Sequence, residues 1–188
     1  MESRLYRIIR PIVKLFVIVF IRPQYKGLGK IPANGRIILA GTHISNMDAL
    51  ILISATKRNV HFLAKKELWK GPKKILFAHL GLIPVDRKKK NHQALELAEN
   101  YLNNECLIGI FPEGTTQKKR GLLEFKMGAV KMAKDTDTKI IPFVIIGNYR
   151  LFSRNLKVIF GDEFMVSADL KNENNRLRET ILKMLEDN

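Results

Sequence analysis

Two hydrophobic patterns alternate along the chain. Short runs rich in β-branched and aliphatic residues are separated by longer stretches with apolar residues at helical spacing, which is typical of an α/β domain. The predicted strands are Arg36–Gly41, Val60–Ala64, Gly81–Val85, Cys106–Phe111, Lys139–Ile146 and Leu156–Phe160. The predicted helices are Asp48–Thr56, Leu68–His79, Asn91–Asn103, Lys126–Lys134 and Glu173–Leu185. We therefore expect an α/β fold with a mostly parallel mixed sheet flanked by helices.

The first 26 residues have a different pattern, with basic residues on one side of a helix and apolar residues on the other. The basic positions are Arg4, Arg7, Arg10 and Lys14, and the apolar positions are Leu5, Ile8, Ile9, Ile12, Phe16 and Val19. The apolar run Leu15–Ile21 is far shorter than the roughly 20 residues that a bilayer span requires, and no small-residue cleavage site follows it. The pattern predicts an amphipathic helix in the membrane interface, with a helix docked on the protein's own core as the alternative.

This pattern divides the chain into a membrane-association segment, residues 1–26, and a single folded domain, residues 27–188. The 188 residues are 46% hydrophobic, which is enough for one core. The net charge of +15 indicates an anionic partner, such as nucleic acid, an anionic membrane surface or a phosphorylated substrate. A nucleic-acid partner is not expected, because metal-binding Cys/His spacing, ribonucleoprotein strand motifs and a GXXG clamp are all missing from the sequence. The single cysteine excludes an intramolecular disulfide and suits a reducing, cytosol-facing compartment.

A histidine and a carboxylate lie five residues apart after the first predicted strand. His43 follows that strand directly, and Asp48 lies at the predicted start of a helix. Ligands of parallel sheets bind outside the carboxyl ends of the strands, so both side chains belong to the expected edge. If Asp48 accepts a hydrogen bond from one imidazole nitrogen, the other nitrogen can remove a proton from a hydroxyl, which makes His43 a general base. The alternative is a structural histidine beside a helix-capping aspartate.

A second loop of possible chemical importance leaves the strand that ends at Phe111. It reads Pro-Glu-Gly-Thr over residues 112–115, and three basic residues follow it, Lys118, Lys119 and Arg120. Backbone amides around Gly114 and Thr115, together with these cations, can hold a phosphate, and Glu113 can orient a polyol hydroxyl. The alternative is an ordinary Pro-Gly turn beside a solvated basic cluster.

Together the two segments resemble the 1-acyl-glycerol-3-phosphate acyltransferase (PlsC-like) family. The first motif of that family is a histidine, four residues and an aspartate, and its third motif is Phe-Pro-Glu-Gly-Thr. Four more segments look like the remaining landmarks of the family, in its order: Lys65–Leu68, Gly81–Arg87, Phe125–Ala129 and Ile141–Val144. The resemblance covers roughly residues 27 to 161, and the ordered set is far more specific than any one motif.

The resemblance implies the glycerolipid acyltransferase fold and an acyltransferase domain over residues 27–188. It implies transfer of an acyl group from a thioester to the sn-2 hydroxyl of 1-acyl-glycerol-3-phosphate, giving phosphatidic acid, with His43 as the base and Asp48 as its partner. The candidate substrate-binding residues are Lys65, Arg87, Glu113, Gly114, Thr115, Lys118, Arg120 and Lys126. Such a transfer needs an activated alcohol and exclusion of water, but no metal or other cofactor. Cys106 lies in an apolar predicted strand, where a structural role is favoured over a nucleophilic one.

The sequence departs from the family pattern at two places. Thr42 stands where an asparagine often precedes the histidine, and Thr116-Gln117 stands where Arg-Ser is common. The absence of that arginine removes a bidentate phosphate donor, which lysine does not replace in kind. The positive charge alone would have to come from Arg120 or Lys118. The acceptor is therefore open, and the alternatives are another lysophospholipid, an aminoacyl lipid or dihydroxyacetone phosphate.

The expected partners are an anionic membrane surface, a lysophospholipid acceptor, and acyl-CoA or acyl carrier protein as donor. The expected location is the cytoplasmic face of the cell membrane, with monotopic attachment. The basic run Lys88–Lys90, next to Arg87, can extend the membrane-facing surface, contact an acidic carrier protein, or form a solvated turn. A catalytically silent lipid-binding relative is a further alternative, although the intact pair of His43 and Asp48 argues against it.

Overall fold

The computed structural model describes residues 4–66, 81–85, 92–116 and 121–188. They contain a seven-stranded sheet formed by β1 (Gln24–Lys26), β2 (Ile37–Gly41), β3 (Val60–Lys65), β4 (Ile83–Val85), β5 (Leu107–Ile110), β6 (Ile140–Ile146) and β7 (Lys157–Phe160). The order across the sheet is β1-β7-β6-β2-β5-β3-β4. Only the β6–β7 pair among these neighbours is antiparallel. The predicted α/β fold with a mostly parallel mixed sheet is confirmed.

Five α-helices are formed by the described residues: α1 (Arg4–Phe16), α2 (Asp48–Ala55), α3 (His92–Asn103), α4 (Gly128–Asp135) and α5 (Leu170–Glu186). A π-helical segment, Val17–Ile21, continues α1. The six predicted strands agree with the structure within two residues, and the four predicted helices that fall on described residues agree within three. The predicted helix Leu68–His79 lies outside the described residues, and β1 is a strand that the apolar pattern did not predict.

The helices cover both faces of the sheet. Successive residues of a strand point to opposite faces, and β2 is apolar in both directions. Ile38 and Ala40 pack with α3, α4 and α5 in one apolar cluster. Ile37 and Leu39 pack with α1, the π-helical segment and α2 in the other. Because each fully buried aliphatic side chain contributes roughly 1.5–3 kcal/mol, these two clusters fix the helices on the sheet.

The central position of β2 decides where polar side chains gather. All five of its residues are buried, and it pairs in parallel with β5 on one side and β6 on the other. The carboxyl ends of these three strands therefore meet at one edge of the sheet. The loops that leave that edge carry the segments starting at Thr42, Phe111 and Gly147.

Helix α1 is docked on the protein by one face. Tyr6 is fully buried, as is Val17 at the start of the π-helical segment. The Tyr6 hydroxyl donates to the Arg58 carbonyl at 3.2 Å and accepts from the Val60 amide at 3.3 Å. The Arg10 guanidinium donates to the carbonyl of Thr56, which follows α2. Docking on the core, one of the two alternatives for this helix, therefore accounts for one of its faces.

The outer face of α1 is apolar and open to solvent. Ile8, Ile12 and Leu15 each expose more than 60% of their surface. No helix formed by the described residues combines the length and the apolar character needed to cross a bilayer. The division of the chain at residue 26 stays a prediction; β1 lies within the first segment and pairs with β7.

Candidate active site

The backbone that leads to His43 is held tightly against β6. A Cβ atom on Gly41 would lie 2.1 Å from the Phe143 carbonyl oxygen, so only glycine fits at this end of β2. The next residue, Thr42, is buried and its hydroxyl accepts a hydrogen bond from the Ile145 amide at 2.9 Å. Thr42, one of the two departures from the family pattern, thus joins β2 to β6 at the base of the site.

His43 and Asp48 form a hydrogen-bonded pair. Nδ1 of the imidazole lies 2.9 Å from Oδ2 of the carboxylate. The Asp48 side chain is completely buried, whereas that of His43 is 16% exposed. The same Oδ2 also accepts from the amides of Ile44 and Ser45, at 2.7 and 2.9 Å. Asp48 is therefore the first residue of α2 and also the anchor of the turn that presents His43.

The tautomer of His43 follows from this contact. A carboxylate can only accept, so Nδ1 carries the hydrogen and Nε2 of the neutral ring holds the lone pair. The ring also stacks on Phe111, with centroids 4.1 Å apart and planes 15° from parallel. Phe111 is itself packed against Phe62 and Phe143. The imidazole is thus oriented by a charged hydrogen bond at one edge and an aromatic ring on one face.

Tyr149 is a contact of the pair that the sequence motifs do not reveal. Its hydroxyl donates to Oδ1 of Asp48 at 2.5 Å. Burial, and then the nearby Asp48 carboxylate, raise the pKa of Tyr149 well above its usual range. The phenol therefore remains protonated and able to donate at all ordinary pH values. Tyr149 lies 101 residues from Asp48 in the chain, so no local spacing pattern relates the two.

Glu113 links the two predicted motifs. It is 4% exposed, and Oε1 accepts from the His43 amide at 3.4 Å. Oε2 accepts from the Leu123 amide at 3.1 Å. The carboxylate therefore ties the turn after β2 to the segment before α4.

Gly114 and Lys126 lie together beside this carboxylate. Gly114 has φ +69°, in the left-handed region that favours glycine, and a Cβ atom there would lie 3.0 Å from the Lys126 ammonium nitrogen. The Lys126 amide donates to the Pro112 carbonyl at 2.9 Å, which holds the lysine segment against the loop. Lys126 is exposed, so its ammonium group is available to an anion.

These groups open into a cleft of about 270 Å³ lined by described residues. His43, Lys65, Gly114 and Lys126 line it, and its apolar walls are Leu63, Val85, Ala94, Leu95, Ile110 and Phe111. The cleft therefore combines a histidine, two cations and an apolar surface, which suits an amphiphilic anion.

The predicted site residues divide into three groups: those at the cleft, the exposed Thr115, and those outside the described residues. The first surrounds the cleft, with His43, Lys65, Gly114 and Lys126 in its lining and Asp48 and Glu113 hydrogen-bonded behind it. Thr115 is exposed and is not part of that lining. Arg87, Lys118 and Arg120 lie outside the described residues, as do Lys119 and Lys88–Lys90. The substrate-binding roles of all these residues stay predictions.

Cys106 lies away from this cleft. It precedes β5, at the opposite end of that strand from Phe111. Burial raises the pKa of its thiol, which disfavours the reactive thiolate. Its expected structural role agrees with both observations, although it lies one residue before the strand rather than within it.

The chain is similar to curated acyltransferases in sequence. It is 34% identical over 133 residues to a 1-acyl-sn-glycerol-3-phosphate acyltransferase of Borreliella burgdorferi, covering 69% of this chain and 53% of the relative. It is 28% identical over 138 residues to the alpha form of that enzyme in Mus musculus, covering 71% and 48%. The chain thus spans about half the length of the curated relatives it matches.

The fold is also found in a solved structure. The crystal structure of the 1-acyl-sn-glycerophosphate acyltransferase PlsC from Thermotoga maritima matches with a TM-score of 0.80 and 19% sequence identity, over 100% of this chain and 83% of that one. The family model described as Acyltransferase matches residues 22–146. This range includes β1 to β6 and every described residue of the cleft. Because it is also more than half of the chain, the protein belongs to the Acyltransferase family.

Proposed function

We propose that the protein transfers a fatty acyl group from a thioester to the sn-2 hydroxyl of 1-acyl-glycerol-3-phosphate. The observation that carries the proposal is the hydrogen bond from His43 Nδ1 to the buried Asp48 carboxylate, at the mouth of a cleft with apolar walls and two lysines. The relatives in Borreliella burgdorferi and Mus musculus are named 1-acyl-sn-glycerol-3-phosphate acyltransferases, which supports the choice of acceptor.

The reaction needs one proton acceptor and one acyl transfer. Nε2 of His43 takes the proton from the acceptor hydroxyl as its oxygen attacks the thioester carbonyl carbon. The tetrahedral intermediate then collapses, the carbon–sulfur bond breaks, and the thiolate takes the proton from the imidazolium. The products are phosphatidic acid and a free thiol. Asp48 stabilises the imidazolium between these two proton transfers.

The phosphate of the acceptor is held by lysines in this proposal. The arginine that commonly follows the Gly-Thr of the family motif is Thr116 here. Lys65 and Lys126 line the cleft and are both exposed, so they can approach a phosphate as point charges. Arg87, Lys118 and Arg120, all outside the described residues, complete the proposed binding set with Glu113, Gly114 and Thr115. A different lysolipid acceptor is the alternative that the missing arginine favours.

The donor is a long-chain acyl thioester, either acyl-CoA or acyl carrier protein. Neither a metal nor a redox cofactor is required by the chemistry, because the thioester is already activated and the histidine supplies the base. The positive charge of the chain suits the phosphates of coenzyme A and the acidic surface of a carrier protein equally well.

The protein binds the cytoplasmic face of an anionic membrane in the same proposal. An apolar surface is formed by exposed side chains of the N-terminal helical segments and of the loop after β6, namely Ile8, Ile12, Leu15, Ile18, Val19, Leu151 and Phe152. The Phe152 amide donates to the Phe20 carbonyl at 2.6 Å and the two rings pack with centroids 5.4 Å apart, so the loop after β6 is joined to the π-helical segment. Basic residues border this surface, including Lys14, Arg22, Arg150 and Arg154. Such a combination suits anionic lipid.

The first experiment is an acyl-transfer assay in anionic vesicles with 1-acyl-glycerol-3-phosphate and either a long-chain acyl-CoA or acyl carrier protein. Diacyl product is measured by mass spectrometry for the wild type and for His43→Ala. Product that disappears in the variant, while thermal melting and vesicle binding stay unchanged, supports both the reaction and the base. Full activity in the variant contradicts the mechanism.

The assay also separates the alternatives. Product with a different lysolipid, but none with 1-acyl-glycerol-3-phosphate, keeps the chemistry and changes the acceptor. Vesicle binding with no product from any acceptor or donor supports the lipid-binding alternative instead.

Membrane attachment has its own test. Replacing both Leu151 and Phe152 with serine removes two exposed apolar side chains from the proposed contact, and each contributes roughly 1.5–3 kcal/mol when fully buried. Sedimentation with phosphatidylglycerol vesicles is expected to fall at least tenfold, because about 1.4 kcal/mol corresponds to a factor of ten. Leu97→Ser, at an exposed position on α3, is the matched control and is expected to bind like the wild type. Equal binding by all three proteins contradicts this surface.

A further inference from the structure

The backbone places Tyr149 at the start of a closed loop. Gly147 follows β6 with φ +103°, and a Cβ atom there would lie 1.9 Å from the Asn155 carbonyl oxygen. The two ends of the loop, residues 147–155, are thus in contact just before β7 begins. Tyr149 is held in a segment anchored at both ends, and its hydroxyl points to α2.

The hydroxyl occupies the side of Asp48 that His43 leaves unused. His43 and the amides of Ile44 and Ser45 all contact Oδ2, and Tyr149 contacts Oδ1. With donors on both oxygens, rotation of the carboxyl group breaks at least one charged hydrogen bond. The position of Oδ2 under the imidazole therefore depends on a residue that belongs to neither sequence motif.

We propose that Tyr149 is a positioning residue that acts through Asp48 to keep His43 oriented for proton transfer. The inference rests on the proposed acyl-transfer function and names a further residue on which its efficiency depends. Tyr149 is not among the residues that line the cleft, so its effect is expected in turnover rather than in substrate binding.

The size of the effect follows from the strength of the contact. A hydrogen bond to a charged group contributes about 1.5–3 kcal/mol, which corresponds to roughly a 10- to 100-fold change in rate if it is all expressed in turnover. We therefore expect Tyr149→Phe to lower kcat by about 10- to 100-fold. KM is expected to change less than about threefold by the same reasoning.

The pH profile should move as well. Without the phenol, the negative charge of Asp48 is less stabilised, so the carboxylate attracts the imidazolium more strongly. The acidic limb of kcat/KM, which reports protonation of the base, is then expected to shift to higher pH. Charged groups at the site among the described residues include Glu113, Lys65 and Lys126, and Tyr25 lies close enough to contribute to the raised pKa of Tyr149; the substitution leaves all four unchanged.

Tyr25, in β1, provides a matched control because its hydroxyl contacts the same helix, α2. Its hydroxyl donates to the Ile51 carbonyl at 2.9 Å and lies 2.5 Å from the Ser54 hydroxyl, so it is bonded to α2 but not to Asp48. Tyr25→Phe removes a comparable tyrosine–α2 contact and is expected to lower the melting temperature with kcat and the pH profile unchanged.

The experiment compares wild type, Tyr149→Phe, Tyr25→Phe, Asp48→Asn and the Asp48→Asn/Tyr149→Phe double variant. Acyl transfer in anionic vesicles is measured between about pH 5 and 9 with whichever donor, a long-chain acyl-CoA or acyl carrier protein, gives product with the wild type. If Tyr149 acts through Asp48, adding Tyr149→Phe to Asp48→Asn causes little further loss of kcat. Tyr149→His, which keeps a ring and a donor, serves as a second single variant if the phenylalanine protein does not fold.

Two results would overturn the inference. One is a Tyr149→Phe protein that matches Tyr25→Phe in kcat and pH profile, and the other is full additivity of the two substitutions in the double variant. Absence of product from the wild-type protein would instead contradict the proposed acyl-transfer function. The wild-type measurement thus distinguishes the two failures.

Discussion

His43, which follows β2, and His61, which lies in β3, are held by similar contacts. Each places Nδ1 2.9 Å from an oxygen, and each stacks on an aromatic ring with centroids 4.1 Å apart, Phe111 for His43 and Tyr101 for His61. The acceptor for His43 is the Asp48 carboxylate, whereas for His61 it is the carbonyl of Gly81. His43 lines the cleft, and His61 is only 4% exposed.

The difference shows which contacts prepare a histidine for proton transfer. A carbonyl fixes the tautomer but supplies no charge, and burial of His61 lowers its pKa, so the neutral ring is favoured. A carboxylate fixes the same tautomer and also stabilises the imidazolium that forms during the reaction. Ring stacking and a hydrogen-bonded Nδ1 are therefore common to both histidines, and the carboxylate and the cleft distinguish the proposed base, His43.

The largest expected effect comes from making His43 resemble His61. Asp48→Asn keeps the size of the side chain but removes its charge, and an amide nitrogen facing Nδ1 favours the wrong tautomer. We expect kcat to fall by about 10³- to 10⁴-fold, as for the aspartate of a catalytic triad. Acyl transfer in vesicles measures the loss, and circular dichroism confirms folding. A loss of less than tenfold would contradict the role assigned to the carboxylate.

A smaller effect is expected at the buried histidine, and it concerns stability. His61→Leu removes the donor to the buried Gly81 carbonyl, and loss of a hydrogen bond to a buried acceptor costs about 1–3 kcal/mol. Urea unfolding measures the change, with His61→Gln as the variant that keeps a donor. Acyl transfer per folded molecule is expected to remain at the wild-type level. Loss of turnover in folded His61→Leu protein would show that the two histidines are not separate in function.

The smallest expected effect is a pH dependence of stability. The pKa of His61 is lower in the folded protein than the value of about 6.5 in an unfolded chain. At pH values between these two pKa values, the unfolded state therefore binds more protons than the folded state. The contribution of His61 to stability is complete above the unfolded pKa and decreases as the pH falls toward and through the folded pKa. Urea unfolding at several pH values tests this, and His61→Gln should show a weaker dependence. Identical curves would indicate that His61 does not titrate on unfolding.

The sequence predicted those parts of the fold that follow from apolar patterning. β2, β5 and β6 are runs of largely buried apolar residues, and their positions agree with the prediction because burial on both faces leaves a continuous apolar signal. Strand β1 was not predicted because it has three residues, Gln-Tyr-Lys, and both of its ends are exposed. It pairs with β7, more than 130 residues away, and only the folded chain reveals that pairing.

The sequence predicted those parts of the site in which the interacting residues are close together in the chain. His43 and Asp48 are five residues apart, so a spacing motif is enough to relate them. Tyr149 and Thr42 were not assigned roles, because each acts through a hydrogen bond across about 100 residues, to Asp48 and to the Ile145 amide. The mode of docking of α1 was also not predictable in detail, because Tyr6 and Arg10 bind backbone carbonyls beyond α2 that no helical pattern indicates.

The ends of the sheet bear on how the protein behaves when it is crowded. Among the described strands, the outermost are β1 and β4, with three residues each, and they contain Lys26 and Pro84. Short edges with a charge or a residue lacking an amide hydrogen are poor templates for pairing with another chain. A lipid surface concentrates bound proteins into two dimensions, where open strand edges would meet often. On the membrane proposed for this protein, such edges would allow dense binding without sheet-to-sheet aggregation.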